Sequence, residues 1–199
     1  MDDEKVNYSL RPGDALVVTD VQNDFLPGGS LAVAGGDQVV PFLNQYLRRF
    51  VRRGLPIFAT RDWHPPNHSS FLANGGPWPP HCVAGTWGAR FSADLALPNY
   101  TRVISKATTK AVEAYSAFLG TDMEKRLRHA GAHRLFIGGL TTDYCVVNTV
   151  RDALEAKFAT VVLADAIRAV NVHPGDGDAA IAEMQRLGAE MATLEQIMG

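Results

Sequence analysis

A carboxylate, an amine and a thiol, the three groups a nucleophilic site needs, each follow an apolar run in this 199-residue chain. Leu16-Val17-Val18-Thr19 leads into Asp20, Val103-Ile104-Ser105 leads into Lys106, and Leu135-Phe136-Ile137-Gly138 runs through Gly139 to Thr142 into Asp143-Tyr144-Cys145. Taken singly these have ordinary explanations: an Asp at a strand end caps a turn, a Lys is solvated, a Cys packs. Together they form the parts list of covalent catalysis, in which a thiol needs a proton acceptor and its thiolate needs nearby positive charge. Cys145 falls where a helix should open, so helix N-terminal amides and Lys106 are expected to lower its pKa, and the same amides to line an oxyanion hole. Asp20 is then the proton acceptor, and Lys106 holds it and adds positive charge beside the sulfur.

A second set lies close to the first. Ile57-Phe58-Ala59-Thr60-Arg61 delivers Asp62, His64 follows two residues later, and His81 lies in a loop from Pro65 to Gly88 rich in proline, glycine and aromatic residues. One carboxylate and two imidazoles suit a divalent ion that keeps other positions open, with zinc the first expectation and iron or manganese the alternatives. An ion would also account for how so long a loop is held. His68 reads as a loop-stabilising residue and Cys82 as a packed thiol. Phe25, Trp78, Trp87 and Tyr115 could build a flat apolar slot for an aromatic ring, or simply pack in the core.

These residues need a scaffold that aims strand ends at one rim. Short apolar runs alternate with helical patterns, which predicts an α/β fold with a six-stranded, mostly parallel sheet and helices on both faces, a three-layer Rossmann-like arrangement. Strands are expected at 15–19, 56–61, 102–105, 134–138, 160–164 and 190–192. Val39, Leu43, Tyr46, Leu47 and Phe50 recur at helical spacing. Thr121 with Glu124 reads as a capping box, Val146, Val150, Ala153 and Leu154 mark another helix, and residues 178–187 a fourth. Ligands of such sheets bind beyond the carboxyl ends of the strands.

Composition narrows the partners. Hydrophobic residues make up 46% and the formal charge is -2, so one globular domain over 1–199 is expected, without the field that holds nucleic acid or an anionic membrane. Two cysteines, no span of about 18–20 apolar residues, and a polar, acidic start predict an untargeted, soluble chain in a reducing cytoplasm. The sequence leaves assembly into a homo-oligomer open. No G-x-G-x-x-G follows the first strand, which disfavours dinucleotide binding.

At these residues the chain resembles the nicotinamidase branch of the isochorismatase-like cysteine hydrolase superfamily. The likeness runs through Asp20-Val21-Gln22-Asn23-Asp24-Phe25, Gly28-Gly29-Ser30-Leu31 and Asp62-Trp63-His64-Pro65-Pro66-Asn67-His68. It continues in Trp78-Pro79-Pro80-His81-Cys82-Val83, Lys106, Tyr115-Ser116-Ala117-Phe118 and Gly139-Leu140-Thr141-Thr142-Asp143-Tyr144-Cys145-Val146. The resemblance implies hydrolysis of nicotinamide to nicotinate and ammonia through a thioester, a step of pyridine-nucleotide salvage. It implies Asp20, Lys106 and Cys145 as the catalytic triad, Asp62, His64 and His81 as metal ligands, and Thr141 with Cys145 at the oxyanion hole. Phe25, Trp78, Tyr115 and Leu140 are expected at the substrate, and the Leu140–Thr141 peptide is expected to be cis. Ala107 stands where glycine is common in that family, and Glu113 where aspartate is frequent. Two alternatives remain at this stage: another cysteine-dependent small-amide hydrolase of the superfamily, or a non-catalytic metal- or ligand-binding relative.

Overall fold

A computed structural model describes residues 7–111 and 114–198. In chain order its strands and α-helices are β1 (Tyr8–Ser9), β2 (Asp14–Thr19), α1 (Val39–Arg52), β3 (Ile57–Asp62), β4 (Arg102–Lys106), α2 (Met123–His129), β5 (Arg134–Leu140), α3 (Val147–Glu155), β6 (Ala159–Arg168), α4 (Asp176–Arg186), β7 (Glu190–Ala192) and β8 (Ile197–Met198).

Six strands form one sheet in the order β4-β3-β2-β5-β6-β7, and every pairing is parallel. The chain builds outward from β2 to β4, then returns to the other side of β2 and builds outward again. The strand order therefore reverses between β2 and β5, and ligand crevices in open α/β sheets form at that point. Period-2 alternation divides the core into two layers. Leu16 and Val18 face α1, whose Leu43, Tyr46, Leu47 and Phe50 are fully buried against them. Ala15 and Val17 face the opposite layer, where Met123 and Leu127 of α2, Val150 and Ala153 of α3, and Met184 of α4 pack. Helices thus cover both faces, and each buried Leu, Val or Phe contributes roughly 1.5–3 kcal/mol of transfer free energy. Among the described residues no helix is long and apolar enough to cross a membrane.

The structure departs from the sequence expectations at element ends. β6 continues to Arg168, because a register shift between Ile137 and Gly139 lets its end pair again with Gly139 and Leu140. Gly139, at φ +124°, is needed there, since a Cβ would lie 2.0 Å from the Thr19 carbonyl oxygen. The expected capping box of α2 does not form. Thr121 Oγ1 accepts from the Met123 amide at 3.1 Å, but Glu124 turns outward to Arg128 at 3.4 Å. α4 starts at Asp176, two residues earlier than expected. The small β1–β8 sheet, Tyr8 opposite Ile197 and Ser9 opposite Met198, is too short for periodicity to signal.

The long loop is pinned by the protein's own backbone. His64 bridges Val83 and Phe71 bridges Trp78. Glu113 lies outside the described residues.

Candidate active site and metal centre

Four strand ends converge at the switch point. Lys106 Nζ, wholly buried, lies 2.6 Å from Asp62 Oδ1, 2.9 Å from Asp20 Oδ2, 3.0 Å from the Ala114 carbonyl and 3.4 Å from Cys145 Sγ. Asp20, at φ +48°, turns the chain out of β2. Its Oδ1 accepts from Thr60 Oγ1 at 2.6 Å, while Oδ2, though within ion-pair range of Lys106, has no aligned hydrogen bond and keeps an uncommitted lone pair. An Asp20 carboxylate oxygen also lies within 4.8 Å of Cys145 Sγ.

Burial and charge set the protonation states. Burial raises the Asp20 carboxyl above its usual range; Lys106 opposes this, and the charge of Asp62 adds to it. Burial also works against ionised Asp62, but Lys106, then His64, outweigh it and hold that carboxyl low. Lys106 shows the same competition: burial lowers its pKa, yet the two carboxylates keep it well above the ordinary value. The Cys145 thiol is pushed well up by burial; Lys106 works against this, and Asp20 and Asp62 add to the rise. This corrects the expectation of a lowered thiol pKa, because the sulfur is buried and faces two carboxylates as well as one ammonium. The resting sulfur therefore holds its proton, with a base of raised pKa beside it.

Cys145 sits in a π-helical turn, Thr142–Val146, rather than in the first turn of α3 itself. The wider turn returns the Val146 amide to the Thr141 carbonyl at 3.0 Å. The Leu140–Thr141 peptide is cis.

The second set adjoins the first. Ligand atoms of Asp62, His64 and His81 all lie within 4.8 Å of one another. His64 Nδ1 faces the Ala107 carbonyl at 3.3 Å and His81 Nδ1 faces the Pro79 carbonyl at 2.8 Å, so in both rings Nδ1 carries the hydrogen and Nε2 is left with a lone pair. His64 Nε2 is buried with no hydrogen-bond partner. Burial lowers the His64 pKa to about 4, more than Asp62 raises it, which keeps the ring neutral. Two imidazoles and an ionised carboxylate are the donor set a divalent cation takes, and the partnerless Nε2 of His64 fits such an ion. Asp62 joins the two centres, giving Oδ1 to Lys106 while Oδ2 lies 3.8 Å from His64 Nε2.

His68 is buried and bonded through Nδ1 to Ser70 Oγ at 2.7 Å, its ring 4.2 Å from that of His64. Cys82 is fully buried, and burial pushes its thiol up. Ala107 adopts φ +51° despite its Cβ, and its carbonyl orients His64.

A narrow cavity opens onto both centres, lined by Phe25, Asp62, Trp78, His81, Tyr115, Thr141 and Cys145, among others. Trp78 Nε1 donates to Tyr115 Oη at 3.1 Å, and both rings meet Tyr144, with centroids 5.1 and 5.2 Å away. Leu140 is placed differently from the expectation: its side chain is fully buried in the core beside Val33 and Gly36 and does not line the cavity. Trp87 is 58% exposed and borders a separate groove with Pro41 and Arg90. The sequence reading missed Leu31, Tyr144 and Val170 as lining residues. The first two lie inside quoted motifs; Val170 had no such signal, because the sequence pattern ends its strand at 164 while β6 runs on to Arg168.

The chain is similar to known proteins over most of its length. The model of the isochorismatase domain family matches residues 14–196. A nicotinamidase of Escherichia coli strain K12 is 36% identical over 204 residues, covering 92% of this chain and 96% of the relative. Among solved structures, the pyrazinamidase of Pyrococcus horikoshii in complex with zinc superposes with a TM-score of 0.88 at 46% identity, over 92% of this chain and all of that one. The PnC1 protein of L. infantum in complex with nicotinate also gives 0.88, at 36% identity over 97% of this chain and 99% of its own.

Proposed function

The chain belongs to the isochorismatase family, and from that membership we propose that it is a metal-containing cysteine amidohydrolase that converts nicotinamide to nicotinate and ammonia. The observation that carries the proposal is the meeting of Asp20, Lys106 and Cys145 around one buried ammonium, next to a carboxylate and two imidazoles whose ligand atoms converge. Nicotinamidase and nicotinate in the names of the similar proteins support the choice of amide.

In the mechanism we favour, the Cys145 proton passes to Asp20 as sulfur attacks the carboxamide carbon, so a free thiolate never has to form beside two carboxylates. Lys106 stays protonated and offsets the charge that the transfer moves. Thr141 and Cys145 offer backbone donors to the tetrahedral oxygen. Asp20 returns the proton to the departing nitrogen, the C–N bond breaks, and ammonia leaves a nicotinoyl thioester on Cys145. Water then attacks the thioester carbon while Asp20 takes one of its protons and passes it to the leaving sulfur. This restores the thiol and frees nicotinic acid, which ionises to nicotinate by giving its proton to solvent or to the released ammonia.

Asp62, His64 and His81 would hold a divalent ion, for which we favour zinc over iron or manganese; when bound it supplies a Lewis-acidic anchor for the pyridine nitrogen. Phe25, Trp78, Tyr115 and Tyr144 enclose the ring and hold the amide carbon beside the sulfur, which turns a bimolecular attack into a local one. Two free cysteines, one of them the nucleophile, suit a reducing cytoplasm.

Ammonia release from nicotinamide and a panel of small aliphatic and carbamoyl amides, with and without a chelator, tests the proposal. Nicotinamide turnover that a chelator suppresses is expected. Turnover of a carbamoyl amide alone would instead favour another amidase of the superfamily, and no turnover at all would favour a non-catalytic relative.

A further inference from the structure

We propose that Gln22 and Asp24 are positioning residues that hold the three candidate ligands at metal-binding spacing before an ion arrives; this rests on the reading of Asp62, His64 and His81 as a metal set. The buried backbone groups where β2 ends all need hydrogen-bond partners. β2 leaves the sheet at Asp20, whose amide still donates to the Thr60 carbonyl at 3.2 Å. Two residues on, along the same edge of β3, Asp62 needs partners that β2 no longer supplies.

One side chain provides both. Gln22 Oε1 accepts from the Asp62 amide at 2.8 Å, and Gln22 Nε2 donates to the Asp62 carbonyl at 2.8 Å. The second Nε2 proton goes to the Ala89 carbonyl at 2.9 Å. Gln22 is fully buried, and both its N–H donors and its oxygen are engaged. A neutral amide here extends the sheet by one residue at the position that carries the shared carboxylate.

Asp24 does the same for the histidines. Its buried carboxylate accepts from the Cys82 amide at 2.7 Å and from the Ser30 amide at 3.2 Å. Cys82 follows His81 directly, stands at φ +45°, and gives its own carbonyl to the His64 amide at 3.0 Å. Holding the Cys82 peptide therefore fixes the chain at His81 and His64 together. Gly88 makes room for this, since a Cβ there would come within 2.0 Å of Asp24 Oδ2. Neither side chain offers an atom to the candidate ion; both act on the backbone that carries the ligands.

Gln22→Glu and Asp24→Asn keep volume while changing donors and acceptors. The first sets a carboxylate oxygen against two carbonyls, and the second sets an NH2 group against one of two amides. The experiment measures the zinc dissociation constant of the metal-stripped full chain by competition with a chromogenic chelator. Tyr46→Phe serves as a control, because it removes a partly buried 2.7 Å bond to Asp165 between α1 and β6. Zinc binding about tenfold or more weaker is expected for both test variants, with the control unchanged, as for other residues that orient ligands from behind. Folded variants that bind zinc within about twofold of the parent would overturn the proposal. Amide exchange in the unsubstituted, metal-stripped chain needs no variant to fold. The Asp62 and Cys82 amides are expected to exchange as slowly as those of β2, and exchange as fast as in exposed loops would overturn the proposal. A parent chain that binds no zinc at all would overturn the metal reading and this inference with it, whereas weakened zinc binding in the variants stands whether or not the amide is nicotinamide.

Discussion

The triad and the ring slot are neighbours built in opposite ways. Asp20 and Lys106 directly follow or end parallel strands with fixed register, and Cys145 follows a third strand through one short turn. The slot is assembled from loops, with Trp78 in the long loop, Tyr115 after β4, Tyr144 in the π-helical turn and Val170 beyond β6. Strand ends hold atoms to a fraction of an ångström, while loops accept side-chain changes without loss of the sheet. Damage to the first region should therefore abolish chemistry or folding, and damage to the second should shift substrate affinity.

The largest expected effect comes from the nucleophile. Cys145→Ala should lower kcat by about 10⁴-fold or more, by analogy with other covalent catalysts, while thermal unfolding moves little because one sulfur is lost from a site that stays ion-paired. Residual turnover near the parent level would break the assignment. Lys106→Ala should cost both activity and stability, since Asp20 and Asp62 would be left as buried carboxylates without their shared cation, a loss of about 3–5 kcal/mol. Urea unfolding measures it, and an unchanged midpoint would mean the cluster is not ion-paired in solution.

Acid should separate the metal set from the slot. In metal-stripped protein His64 titrates at about 4 in the fold and near its ordinary 6.5 when unfolded. Between those values the unfolded chain binds the extra proton, so stability is present above pH 6.5 and falls as pH drops towards 4. Urea midpoints across that window should decline, and the decline should lessen in His64→Gln. A slope identical in the two proteins would assign the effect to another group. The smallest expected effect belongs to the slot: Trp78→Ala should raise KM by about tenfold, the value of one aromatic contact, with little change in the melting temperature. A variant that loses kcat instead would show that the slot also aligns the sulfur.

The same contrast explains what the sequence made legible. Apolar runs ending in Asp20, Asp62 and Lys106 announced both strands and chemistry, because a buried parallel strand leaves few other places for a charged residue. The His-containing loop was visible from its composition. Leu140 was misplaced because a motif carries neighbours along with functional residues: its cis peptide is at the site, while its side chain belongs to the core. The raised thiol pKa was hidden because the burial of the sulfur, with Asp20 and Asp62 beside it, arises from tertiary packing; a helix opening seen alone suggests the opposite sign. Gln22 and Asp24 stood within a quoted motif, but the Asp62 and Cys82 peptides they hold lie 40 and 58 residues away, a distance no local pattern reports.

The central claim, covalent catalysis at Cys145, is most directly tested by acid-quenching the enzyme during nicotinamide turnover and measuring intact and peptide masses. A nicotinoyl group found on the peptide that contains Cys145, and absent when nicotinate replaces nicotinamide, is the expected result. Continued ammonia release with no adduct at any quench time, together with an active Cys145→Ala variant, would contradict it.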